Sequence, residues 1–239
     1  MDLGEILSDA FVYPLNNIKV LVIYIILGII AAIVGGTAIF TAVGASMTKG
    51  VASAGLDIIS VVGIIVFLII FLLIEGYCLD VIKYGINRDP GAPGIDFARQ
   101  VINAIKLFVV EFVYYIIPVI LLIILLVLFG NGLIGLILTI IVGIVFTLAL
   151  IMAICRLANT DSLGEALAIG EAIGDISRVG FLNLILLIII FIVVAFIALF
   201  IAGLIANLNG TVGSIILGIF MVYLTFVVYR AIGLLYSNA

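Results

Sequence analysis

Two glutamates, Glu75 and Glu111, stand inside stretches that are otherwise almost pure hydrocarbon. A carboxylate in a membrane-crossing segment costs roughly 3 kcal/mol even on lenient insertion scales, so such an acid ordinarily faces protein or water rather than acyl chains. Both acids fall toward the same end of neighbouring apolar runs. One chemistry open to them is a proton- or cation-binding pair in a vestibule. The other is quieter: each sits near the headgroup boundary, neutralised by Lys83 or Lys106 or hydrogen-bonded by Tyr77, Tyr114 or Tyr115. Three cations, Lys19, Lys106 and Arg178, stand at the starts of apolar runs, and aligning them puts Tyr24, Glu111 and Asn183 each five residues further in. The candidate intramembrane polar site is therefore Glu75, Glu111, Tyr77, Tyr115, Tyr24 and Asn183.

Other chemistries find little support. The chain has no histidine and two cysteines, Cys78 and Cys155, so the usual zinc, haem and iron–sulfur ligand sets cannot be assembled from it alone. The two thiols are expected to be reduced and unpaired. No nucleophile–base pair is visible, and the chain is expected to be non-enzymatic and to carry no cofactor. A net charge of −4, spread thinly, offers no basic tract for nucleic acid. The loop at 87–96 could hold an anion through Arg88 and backbone amides, but its Pro-Gly pairs ordinarily just make turns.

The elements that must position these groups are membrane helices. Of 239 residues, 67% are hydrophobic and 9% charged, with mean hydropathy +1.62; soluble domains have about 45–50% and about 25%. The apolar runs are continuous and about 20 residues long, the length of a helical span, without the alternation of barrel strands. The fold class is all-α: a polytopic membrane bundle with spans near 20–42, 58–79, 107–128, 133–153, 179–202 and 212–229. The short link at Gly130-Asn131-Gly132 makes the third and fourth spans an antiparallel hairpin, and the six spans read as three hairpins. The first span, preceded by Asp2, Glu5 and Asp9 and no basic segment, is expected to act as an uncleaved signal-anchor.

Each hairpin is preceded by a short amphipathic stretch. Leu3, Ile6, Leu7, Ala10 and Phe11 share one helical face, with Tyr13-Pro14 ending that helix. Phe97, Val101, Ile105 and Phe108 form a second stripe, with Arg99, Gln100, Asn103 and Lys106 on the other faces. Leu163, Leu167, Ile169, Ile173 and Ile176 form a third, opposite Glu165, Glu171 and Asp175, and side-chain acceptors at 159–162 can cap it. A polar, glycine-rich loop is expected at 44–55. The recurrence divides the single domain, 1–239, into three internal repeats at 1–80, 95–158 and 162–236. Eight of the nine bases lie on one side of this layout and only Lys49 on the other, which predicts cytoplasmic termini and cytoplasmic amphipathic helices in a plasma-membrane protein.

Gly76-Tyr77 at a span end, the Pro/Gly loop from Pro90 to Gly94, Asp96-Phe97, and the Tyr-x-x-Pro from Tyr115 to Pro118 together resemble the integral membrane family catalogued as domain of unknown function 4013, familiar mainly from archaea. The three-hairpin layout is similar to that family too, and at the level of layout alone to the membrane portion of some glycerophosphodiester phosphodiesterases. The resemblance implies no activity and no catalytic residue. The leading expectation is a non-enzymatic membrane-organising or transport-associated component. The alternative is a proton- or cation-coupled transporter or channel using Glu75 and Glu111, and a lipid-modifying enzyme ranks last. The lipid bilayer is the one partner composition requires; second copies of the chain or another membrane subunit remain open partners.

Overall fold

A computed structural model describes residues 1–49, 58–130 and 132–239, with side-chain environments for these except at 35–49, 58–60, 208 and 214. All regular structure among the described residues is helical, as it must be where lipid offers backbone amides no alternative partner. The helices are α1 (Leu3–Asn16), α2 (Ile18–Lys49), α3 (Ile58–Ile86), α4 (Phe97–Phe129), α5 (Leu133–Thr160), α6 (Leu163–Ala166), α7 (Ile169–Val179), α8 (Phe181–Leu208) and α9 (Gly210–Tyr236). Five of them, α3, α4, α5, α8 and α9, are long and apolar enough to cross a membrane; α1 and α2, bent by 81° at their junction, make a sixth if the pair is one broken span. The chain is thus a multi-pass helical membrane protein.

Helices α2, α3 and α9 pack mutually; α4 lies against α3 and α5, and α8 against α9. Glycines mark close backbone approaches at three of these crossings. A Cβ on Gly85 of α3 would come within 2.9 Å of the Arg230 carbonyl on α9, and one on Gly218 of α9 within 3.1 Å of the Gly28 carbonyl on α2. Gly76 of α3 is pressed against the Gln100 backbone of α4. The larger core cluster collects at one end of the bundle, from Leu79 and Ile82 of α3, Leu148 to Ala158 of α5, and Val227 to Leu235 of α9, roofed by Ile6 and Ala10 of α1 and Ala172 of α7. The far portions of α4, α5 and α8 carry Val127, Leu133 and Phe196 at 70% exposure or more, as suits side chains whose solvent is hydrocarbon.

Three expectations about the short helices need correction. First, α1 runs through Pro14 to Asn16, the proline giving up one intrahelical bond to the Ala10 carbonyl without ending the helix, and only Asn17 separates it from α2. Asp2 and Glu5 form a reciprocal capping box at its start, with Glu5 N donating to Asp2 Oδ1 at 2.8 Å and Asp2 N to Glu5 Oε2 at 3.0 Å. Second, no separate helix precedes the third span: α4 is continuous over 33 residues, capped by Asp96. Its first turns are also turned inside out. Phe97, Ile105 and Phe108 are more than half exposed, while Gln100 and Asn103 are buried against α3. Apolar stripes face inward only where the surroundings are water. Third, the amphipathic stretch after α5 is broken at Leu167-Ala168 into α6 and α7, and the buried face of α7 includes Asp175. Of the loop expected at 44–55, residues up to Lys49 belong to α2; the remainder lies outside the described residues.

Candidate functional site

Where α3 passes α9, the Tyr229 hydroxyl donates to Glu75 Oε2 at 2.6 Å. The bond holds the carboxyl group in one orientation, and away from water such a bond is stronger than at the surface. Oε1 has no hydrogen-bond partner among the described residues. Glu75 is half-buried and lines a cavity of about 300 Å³ between α2, α3 and α9, whose walls include Gly28, Ala31, Phe67, Phe71, Met221 and Thr225. Among the described residues, the only side-chain oxygen on the wall apart from those of Glu75 is Thr225 Oγ1, whose proton is given to the Met221 carbonyl at 2.7 Å.

Glu111 stands on the α4 face that also carries Leu107 and Tyr114, both buried. It is half-buried, makes no hydrogen bond or ion pair among the described residues, and interacts electrostatically with Glu75 and with the Tyr229 phenol. Both acids are thus half-buried and interact electrostatically. Neither is neutralised as the quieter reading had it. Lys106 pairs with Asp161 at 2.6 Å, and Lys83 is exposed. Tyr77 donates to the Pro93 carbonyl at 3.1 Å, Tyr114 to the Ala166 carbonyl at 3.1 Å, and Tyr115 is 62% exposed.

The remaining candidates do not converge on one point. Tyr24 is fully buried, its ring 4.5 Å from that of Tyr77 and 5.5 Å from Phe226, one helical layer from Glu75. Its hydroxyl and the Gln100 side-chain amide are buried within reach of one another, yet no hydrogen bond of good geometry satisfies either among the described residues. Asn183 is exposed on α8. Tyr24, Glu111 and Asn183 therefore occupy three different environments.

The loop at 87–96 is a keystone held by side chains from four helices. Arg230 Nη1 of α9 donates to the Asp89 carbonyl at 2.6 Å, Asn17 Nδ2, just beyond α1, to Pro90 at 3.1 Å, Tyr13 of α1 to Gly91 at 3.1 Å, Tyr77 of α3 to Pro93, and Arg99 Nη2 of α4 to Gly94 at 2.6 Å. Arg88 turns away from any vestibule to Ser237 Oγ at 3.0 Å and Asn238 Oδ1 at 3.1 Å. The turn reading of this loop is the one its geometry supports.

Several organising residues escaped the sequence. Arg230, 1% exposed, is gripped by Asp9 at 2.8 Å and stacks over the Tyr13 ring at 4.5 Å. Asp175, also 1% exposed, accepts from Arg156 at 3.1 Å, Arg178 at 2.8 Å and Tyr236 at 3.0 Å. Asp80 pairs with Arg99 at 3.1 Å and accepts from Asn103 at 3.2 Å. In the sequence, Tyr229 is only the last residue of the sixth span and Arg230 only one of the bases near span ends. The available signal was Asp80 itself, an acid directly after position 79, where the second span was taken to end.

Long apolar helices that bury acids and arginines at one end of the bundle are those of a multi-pass integral membrane protein. Residues 58–207, more than half the chain, match the family model described as Protein of unknown function (DUF4013), and the chain belongs to that family. Searches of curated proteins and of solved structures find no match.

Proposed function

We propose that this chain is a non-enzymatic, transport-associated protein of the plasma membrane, a single domain of six spans in three hairpins with cytoplasmic termini, in which Glu75, Tyr229 and Glu111 form a proton- or cation-binding site. The carrying observation is the 2.6 Å bond from Tyr229 to Glu75 beside a cavity and within electrostatic reach of Glu111. A proton or cation held there neutralises charge that hydrocarbon cannot solvate. The phenol fixes the carboxylate in place. Purified protein in liposomes loaded with a pH-sensitive dye, or with sodium- and potassium-selective dyes, tests the reading: flux above that of empty vesicles is expected, and Glu75→Gln should abolish it. Wild-type vesicles no leakier than empty ones to any of the three ions would overturn it.

A second reading, a membrane-organising component, is favoured by the buried arginine and aspartate hubs that brace one end of the bundle. It predicts no flux, with Glu75→Gln changing thermal stability alone.

A further inference from the structure

We propose that the cavity beside Glu75 binds a hydrophobic organic cation, entering from the bilayer. This deepens the transport reading by naming a ligand class, and rests on it only for what happens after binding. The cavity, about 300 Å³, matches a compact amphiphile, and its walls are apolar except at two points. One is the Glu75 carboxylate, oriented by Tyr229 through Oε2 with Oε1 unpaired; the other is Thr225 Oγ1, whose proton is already committed so that only its lone pairs face a ligand. Both are acceptors, and neither offers an anion or a neutral carbonyl anything to bond.

Phe67 and Phe71, with ring centroids 6.2 Å apart, add π-faces that attract a diffuse positive charge. A multivalent metal ion such as Ca²⁺ or Mg²⁺ is a poor occupant. It needs several oxygen ligands, and among the described residues no group of three or more acidic, histidine or cysteine side chains could hold one. An acyl chain is a poor occupant too, because it would leave the carboxylate against hydrocarbon. Phe71 and Met221, each 48% exposed, mark the side open to lipid, from which an amphiphile partitions in. Small residues on α2, Ala31 and Ala32, provide the room.

Binding of radiolabelled tetraphenylphosphonium to the purified full chain in lipid nanodiscs tests this without requiring transport. Saturable binding to the wild type is expected. Glu75→Gln should weaken it roughly thirtyfold or more, as removing one partner of a desolvated charge pair does. Ala32→Phe, which fills the cavity and leaves the carboxylate, should abolish it even if Glu75→Gln proves unstable. Ile192→Ala, on the exposed face of α8, should bind as the wild type does. Non-saturable uptake equal in all variants, or equal affinity for an uncharged analogue of the same shape, would overturn the proposal. Saturable binding without ion flux would sink the transport reading and leave the pocket standing; flux without binding would do the reverse.

Discussion

Arg230 and Gln100 are both buried polar side chains, yet they should respond oppositely to replacement. The Arg230 guanidinium satisfies Asp9 and the Asp89 carbonyl and lies on the Tyr13 ring. Arg230→Met removes these bonds together and strands acceptors of α1 and the loop, so a loss of about 3 kcal/mol is expected in thermal or chemical unfolding in detergent. Gln100 is fully buried, its amide near the Tyr24 hydroxyl but in no hydrogen bond of good geometry among the described residues. Gln100→Leu keeps nearly the same volume and removes the penalty of two unpaired polar atoms, so it should be neutral or stabilise by about 1 kcal/mol. A clear loss of stability in Gln100→Leu would mean that the amide has a partner of its own, such as a buried water.

Helix crossings are set by what the helices lack. At Gly76 there is no space for a methyl group, because the Gln100 backbone of α4 occupies it, and at Gly85 the α9 backbone is 2.9 Å away. Gly76→Ala must push α4 off α3, at an expected cost of about 3 kcal/mol. Gly143→Ala, on α5 with nothing within 4 Å, should be tolerated or stabilise by up to about 1 kcal/mol through helix propensity. Unfolding midpoints of the two variants measured side by side check both; equal effects would show that the close crossing is not what holds α3 to α4. The same glycine type thus marks a packing surface in one helix and an idle position in another, and only the neighbour distinguishes them.

For the whole molecule, the termini and the central loop share one end. The Met1 ammonium donates to Asn238 Oδ1 at 3.1 Å, and Arg88 reaches Ser237. Asn87 in the loop and Glu171 on α7 are exposed. Single variants Asn87→Cys and Glu171→Cys should therefore be modified by a membrane-impermeant thiol reagent from the same side, and, if the excess of bases orients the chain, only after the cell membrane is permeabilised. Labelling in intact cells would reverse the orientation. Native Cys78 and Cys155 are fully buried and should stay silent in this experiment.

Sequence alone determined that this is a helical membrane protein, because uninterrupted apolar runs of span length leave a chain no other way to satisfy its backbone in lipid. The Gly130 and Asn209 breaks, the capping signals and the acids inside α3 and α4 were legible for the same reason: each is a local departure from hydrocarbon. What the tertiary structure decided is pairing. Glu75 was visible at 75, but its partner Tyr229 lies 154 residues away, and nothing in the local pattern of either residue names the other. The stripe of Phe97, Ile105 and Phe108 shows the limit most plainly. Periodicity identified the helix and its two faces, but which face turns inward depends on whether lipid or water surrounds it. That follows from where the helix stands in the bundle.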